Sequence, residues 1–191
     1  MFKIAILISI LAVSTTAESQ TLTVAKKGDR AVLFNFVGLS TINLNGYQGG
    51  IGGKYFISNS LALRGLLLFG MDNKTTNGTP NLTDDYLSYG VGGGLEYHLA
   101  LASSISPYVG GAFSFQNSVE TTNPGANRTT STVWGVGAIG GVEYFFNQNL
   151  SLSAEYQFGL TSTNINPAFG PKNTEFQLGF QTVELTLAAY F

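Results

Sequence analysis

Apolar and polar positions alternate along most of the chain with the two-residue period of an extended strand. Between 86 and 99, Leu87, Tyr89, Val91, Gly93, Leu95, Tyr97 and Leu99 share one face. Tyr86, Ser88, Gly90, Gly92, Gly94, Glu96 and His98 share the other. Residues 150–160 do the same, with Leu150, Leu152, Ala154, Tyr156, Phe158 and Leu160 opposing Ser151, Ser153, Glu155, Gln157 and Gly159. At the end of the chain Val183, Leu185, Leu187, Ala189 and Phe191 oppose Thr182, Glu184, Thr186, Ala188 and Tyr190. A helix, with its period of about 3.6 residues, would place neither set on one side. The pattern predicts eight strands, near 30–39, 47–57, 61–71, 86–99, 106–116, 132–146, 150–160 and 178–191. Short turns separate them at 58–60, 100–105 and 147–149. Longer polar loops rich in Asn, Thr, Gly and Pro fall at 72–85, 117–131 and 161–177, and a modest connection at about 40–46.

Which face meets solvent follows from composition. Charged residues make up 10% of the chain, against about 25% in a typical soluble domain. The non-apolar face is mostly Gly, Ser, Thr and Gln with a few Glu, a poor coat against water but a suitable lining for a narrow interior. The apolar face carries aromatics near both strand ends. Tyr55, Tyr97, Tyr144 and Phe146 stand beside the short turns, and Phe69, Tyr89, Phe115, Trp134 and Phe158 stand toward the long loops. Two such belts suit the two interfaces of a bilayer, and strands of about ten tilted residues cover its apolar band. The expected fold is all-β: an eight-stranded antiparallel up-and-down transmembrane β-barrel with lipid outside. A net charge of −2 offers no basic footprint for nucleic acid. With Cys 0, disulfides and thiolate metal sites are excluded.

Met1-Phe2-Lys3, an apolar run from Ile4 to Val13 and the small residues up to Ala17 form the three-part pattern of a secretory signal peptide. The expected division is a cleaved signal at 1–19, with the cut after Ala17 or Ser19, and one barrel domain over 20–191. A weak repeat recurs one hairpin apart. Gly53-Lys54-Tyr55-Phe56, Leu95-Glu96-Tyr97-His98 and Val142-Glu143-Tyr144-Phe145 each precede a short turn and place a Tyr on the apolar face.

The alternation points Lys54, Arg64, Glu96, Glu143, Glu155 and Glu184 inward, with His98 nearby. Long cationic side chains that cross a small lumen to carboxylates make buried charge tolerable. The cluster therefore reads as a plug of paired charges, with an ion gate as the alternative. Residues 135–140 spell G-x-G-x-x-G, but that fingerprint needs a helix start to hold a pyrophosphate, and here the alternation continues. His98, the only histidine, has no serine motif aligned with it. No catalytic residue, metal site or cofactor is expected. Asn73-Lys74-Thr75, Asn81-Leu82-Thr83 and Asn127-Arg128-Thr129 fit an acceptor pattern that Asn/Thr-rich loops produce by chance.

The signal sequence, eight alternating strands, short turns opposite long loops, and a last strand ending in Phe191 together resemble the small outer-membrane barrels, the OmpA/OmpX-type and porin-like proteins of Gram-negative bacteria. The resemblance covers nearly the whole mature chain. It implies a monomer surrounded by outer-membrane lipids, with both termini and the short turns in the periplasm and the long loops outside. It also implies that the Val183-to-Phe191 ending is shown to the barrel-assembly machinery. The function it implies is non-enzymatic: structural, or surface interaction with an extracellular ligand at 72–85, 117–131 and 161–177. A narrow channel for ions or small solutes is the alternative, and a lipid-modifying barrel enzyme a more distant one.

Overall fold

A computed structural model describes residues 25–37, 46–76, 82–99, 104–123, 127–180 and 183–191. The expected signal peptide at 1–19 and the first loop-side connection up to residue 45 lie outside them.

The described residues form nine strands: β1 Arg30–Val37, β2 Gly46–Phe56, β3 Leu61–Thr76, β4 Leu82–His98, β5 Ile105–Asn123, β6 Asn127–Asn147, β7 Leu150–Pro167, β8 Asn173–Phe180 and β9 Glu184–Tyr190. Consecutive strands from β1 to β7 pair antiparallel, β9 pairs with both β7 and β1, and the sheet closes on itself. The ring has eight positions, because β8 and β9 share the last one: β8 lies along the far part of β7 and β9 along its start.

That division corrects the single final strand expected at 178–191. Phe180 pairs with Phe158 and Glu184 with Glu155, so the final strand spends one residue more than β7 between these pairs. A one-residue excess reverses the side-chain phase. Phe176, Leu178 and Phe180 thus face outward before it, and Leu185, Leu187 and Ala189 after it. Unbroken alternation would have turned one of these sets into the lumen.

The expected long loops are also corrected. β3 runs to Thr76 and β4 starts at Leu82, with Asn73 opposite Asp85 and Thr75 opposite Thr83. Thr121 pairs with Arg128, and Thr130 with Asn166. Beyond the bilayer both faces of a strand meet water, so the apolar alternation stops while the backbone ladder does not. Most of 72–85, 117–131 and 161–177 is therefore paired hairpin. The short turns at 58–60 and 147–149 stand where expected, and residues 100–103 of the third lie outside the described residues. Ser58 Oγ accepts from the backbone of Leu61 at 3.0 Å, and Asn147 Oδ1 from that of Asn149 at 2.8 Å.

Over 50–57, 62–70, 86–98, 105–116, 134–146 and 151–160 the inner phase is buried or half-buried and the large outward side chains are exposed, whereas β8 is exposed on both faces except at Gly179. Both aromatic belts face outward and are exposed throughout. The inner wall is rich in glycine because an eight-stranded barrel leaves little room for side chains. At Gly141 a Cβ would sit 2.5 Å from the Tyr108 ring and 2.8 Å from the carbonyl oxygen of Ala154. Only glycine lets that tyrosine lie across the lumen. The G-x-G-x-x-G stretch is mid-strand, with Gly137 opposite Gly159. A sheet closed into a ring through β9, which pairs with both β7 and β1, is expected to resist detergent until heated. Folded protein should therefore migrate differently on gels before and after boiling, and identical migration would count against closure.

Candidate functional site

The repeat noted in the sequence builds the lower lumen in two layers. Each copy puts a charge inward, a tyrosine outward, and then a ring inward. The inward rings Phe56, His98 and Phe145 lie at the short-turn end, joined by Tyr190 from β9. Tyr190 is 5.5 Å from Phe145 between centroids and 6.4 Å from Phe56, while His98 is 5.2 Å from Phe56. With Ala31, Ala62 and Ala188 they form an apolar floor.

The inward charges lie directly above this floor. Lys54 Nζ donates to Glu143 Oε2 at 2.9 Å and stands 2.6 Å from Glu96 Oε2. Arg64 forks onto Glu155, Nη1 to Oε2 at 2.8 Å and Nη2 to Oε1 at 2.6 Å, and reaches Glu96 Oε1 at 3.2 Å. The Arg64 and Glu96 side chains retain only 6% and 3% of their exposure. Two cations are thus shared among three carboxylates from β4, β6 and β7. Glu184, the sixth expected residue, faces inward but stands apart. Its carboxylate accepts from Asn35 Nδ2 at 3.1 Å, and among the described residues no lysine or arginine nitrogen closes on it.

Several participants were not singled out from the sequence. Tyr108 Oη donates to Glu155 at 3.0 Å, and Tyr190 Oη to Glu143 at 2.7 Å. Ser151 Oγ also donates to Glu143. All three lie on the inward phase, so the alternation carried the signal.

No serine motif is aligned with His98 in the sequence, but the fold brings Ser106 beside it. Its Nδ1 is 2.8 Å from Ser106 Oγ and its Nε2 3.2 Å from Glu96 Oε2. A Ser–His–carboxylate chain is the skeleton of nucleophilic catalysis, but there the serine bonds Nε2 and the acid bonds Nδ1. Here the nitrogens are exchanged, and Ser106, His98 and Glu96 are 0%, 2% and 2% exposed. Glu96, His98 and Glu143 likewise bring potential metal-ligand atoms within 4.8 Å of one another. Lys54 Nζ already lies between the two carboxylates and supplies the positive charge an ion would bring.

On the long-loop side of Arg64 the lumen opens into a cavity of about 180 Å³. Gln48, Gln116, Gln157 and Glu184 give it polar groups, and Leu66, Leu68 and Val133 an apolar wall.

An antiparallel ring with an apolar exterior, two aromatic bands and a polar interior is a barrel that spans a membrane. The chain belongs to the outer membrane protein beta-barrel family, whose domain matches residues 4–182, and membership implies the outer membrane of a Gram-negative bacterium. No curated protein matches the chain. Among solved structures it is similar to OprG of Pseudomonas aeruginosa, at 14% identity over 89% of this chain and 99% of that one, with a TM-score of 0.54. It is similar also to the outer membrane protein W of E. coli, at 14% identity over 87% and 99%, with a TM-score of 0.50. Neisserial surface protein A shares 19% identity over 85% and 91%, with a TM-score of 0.44. At these identities the likeness concerns the fold alone.

Proposed function

We propose that the chain is a monomeric, non-enzymatic barrel with a closed lumen, whose function resides in its projecting hairpins. The observation that carries this reading is the pair of layers filling the lower lumen, a charged network resting on an aromatic floor. Ser106 and His98 belong to that network, where no substrate reaches the hydroxyl. β5 and β6 have 19 and 21 residues, where a barrel strand needs about 9–11 to cross the bilayer. Roughly half of each therefore rises beyond the lipid as a rigid platform, the kind of scaffold on which binding residues sit. In this reading the ligand-bearing region is the hairpins over 72–85, 117–131 and 161–177, on the extracellular side. The termini and short turns are periplasmic, outer-membrane lipids surround the belts, and Phe191 is the residue read by the assembly machinery.

Single-channel recording in planar bilayers tests closure. Refolded protein should show no steady open level. A steady ohmic current would reject the plug and favour the narrow channel.

A further inference from the structure

We infer that the cavity above Arg64 is a binding site for a small organic ammonium ion, with Glu184 as its counter-charge. Among the described residues of the lumen, Lys54 and Arg64 face four carboxylates, Glu96, Glu143, Glu155 and Glu184. The first three take both cations, as the distances above show. Glu184 is left with an amide donor from Asn35, and it stands directly opposite Glu155 across β9 and β7. Like charges so placed repel, and Arg64 spends its fork on Glu155. Four carboxylates thus face two cations, and Glu184 is the one with no lysine or arginine nitrogen within ion-pair distance among the described residues; Arg64 lines the same cavity, but its nitrogens contact Glu155 and Glu96.

The register offset strengthens this reading. Had the phase of β8 continued, the position of Glu184 would have faced lipid; the extra residue turns it into the lumen. The rest of the cavity defines the body of the ligand. Leu66, Leu68 and Val133 offer an apolar wall, and Gln48 and Gln157 offer amide oxygens to ammonium protons. A volume of about 180 Å³ exceeds the ~150 Å³ that holds a benzene. The class is a primary ammonium on a short apolar body.

The inference does not rest on the role of the hairpins or on closure of the lumen, since a cation can bind whether or not current passes. Benzylammonium is the probe, with benzyl alcohol and benzoate as its neutral and anionic counterparts, titrated calorimetrically into refolded protein in zwitterionic micelles. Titration into empty micelles removes partitioning. Benzylammonium should bind at least about tenfold more tightly than benzyl alcohol, and benzoate should not bind. Glu184→Gln should abolish that preference. Gly92→Val gives a second, independent variant. A Cβ there meets only ordinary contacts, 3.4 Å from the carbonyl oxygen of Phe113 and 3.6 Å from Leu68 Cδ1, and the added methyls fill the cavity. It should remove binding of both probes while keeping the heat-dependent gel shift. Equal binding of alcohol and ammonium, or wild-type titration of either variant, would overturn the inference.

Discussion

Arg64→Ala is expected to cost about 3–5 kcal/mol of stability, the range for removing one partner of a buried charge network. The substitution leaves Glu155 with the Tyr108 hydroxyl and removes one of the two cations on Glu96, in a layer that water hardly enters. Denaturant unfolding in detergent, followed by the heat-dependent gel shift, reads the loss. Arg64→Lys should fall between wild type and alanine, because a single ammonium keeps the charge but cannot reproduce the fork onto both Glu155 oxygens. Replacing both partners, Arg64→Met with Glu155→Leu, should recover most of the loss, since no orphaned charge then remains. Conductance is expected to stay at the closed level in Arg64→Ala, because Phe56, Phe145 and Tyr190 still floor the lumen. A variant as stable as wild type would show the network to be hydrated. A conducting one would assign the seal to the charges alone.

Much of this site was legible because strand phase is a local property. Once β4 was known to alternate, Glu96 and His98 had to share a face with Ser88 and oppose Tyr97. The same reasoning turned Lys54, Arg64, Glu143 and Glu155 inward. What phase cannot give is height and partner. Those depend on how each strand slides against the next around the ring, and that stagger is set by many pairings at once. So Ser106 beside His98, and Tyr108 beside Glu155, emerge only from the closed barrel. The hairpins were misread for a different reason. Thr75 and Thr83, or Thr121 and Arg128, have no apolar side to betray a strand, although their backbone groups are paired as fully as those in the bilayer. The break between Phe180 and Glu184 was hidden because each piece alternates correctly alone, and only their relative phase reveals the extra residue.

Deleting Phe191 should separate assembly from stability. The residue ends the outward row of Leu185, Leu187 and Ala189, its side chain is 75% exposed on the lipid face, and its backbone N–H donates to the carbonyl oxygen of Arg30 at 3.0 Å. Losing that hydrogen bond costs about 1 kcal/mol. The ring contributes little packing within the protein, since lipid rather than side chains surrounds it. The remaining closure of β9 on β1, from Tyr190 opposite Ala31 to Glu184 opposite Val37, is untouched. The shortened chain should therefore refold into micelles with a normal gel shift. Insertion in cells is another matter if, as proposed above, an assembly factor reads Phe191 before any belt or ring exists. The deletion is expected to reduce outer-membrane levels at least about tenfold while leaving refolding yield nearly unchanged, a gap far larger than a loss of ~1 kcal/mol would cause in a stable barrel. Cell fractionation beside in-vitro refolding measures both. Normal outer-membrane levels without Phe191 would reduce the residue to one more member of the belt at the short-turn end.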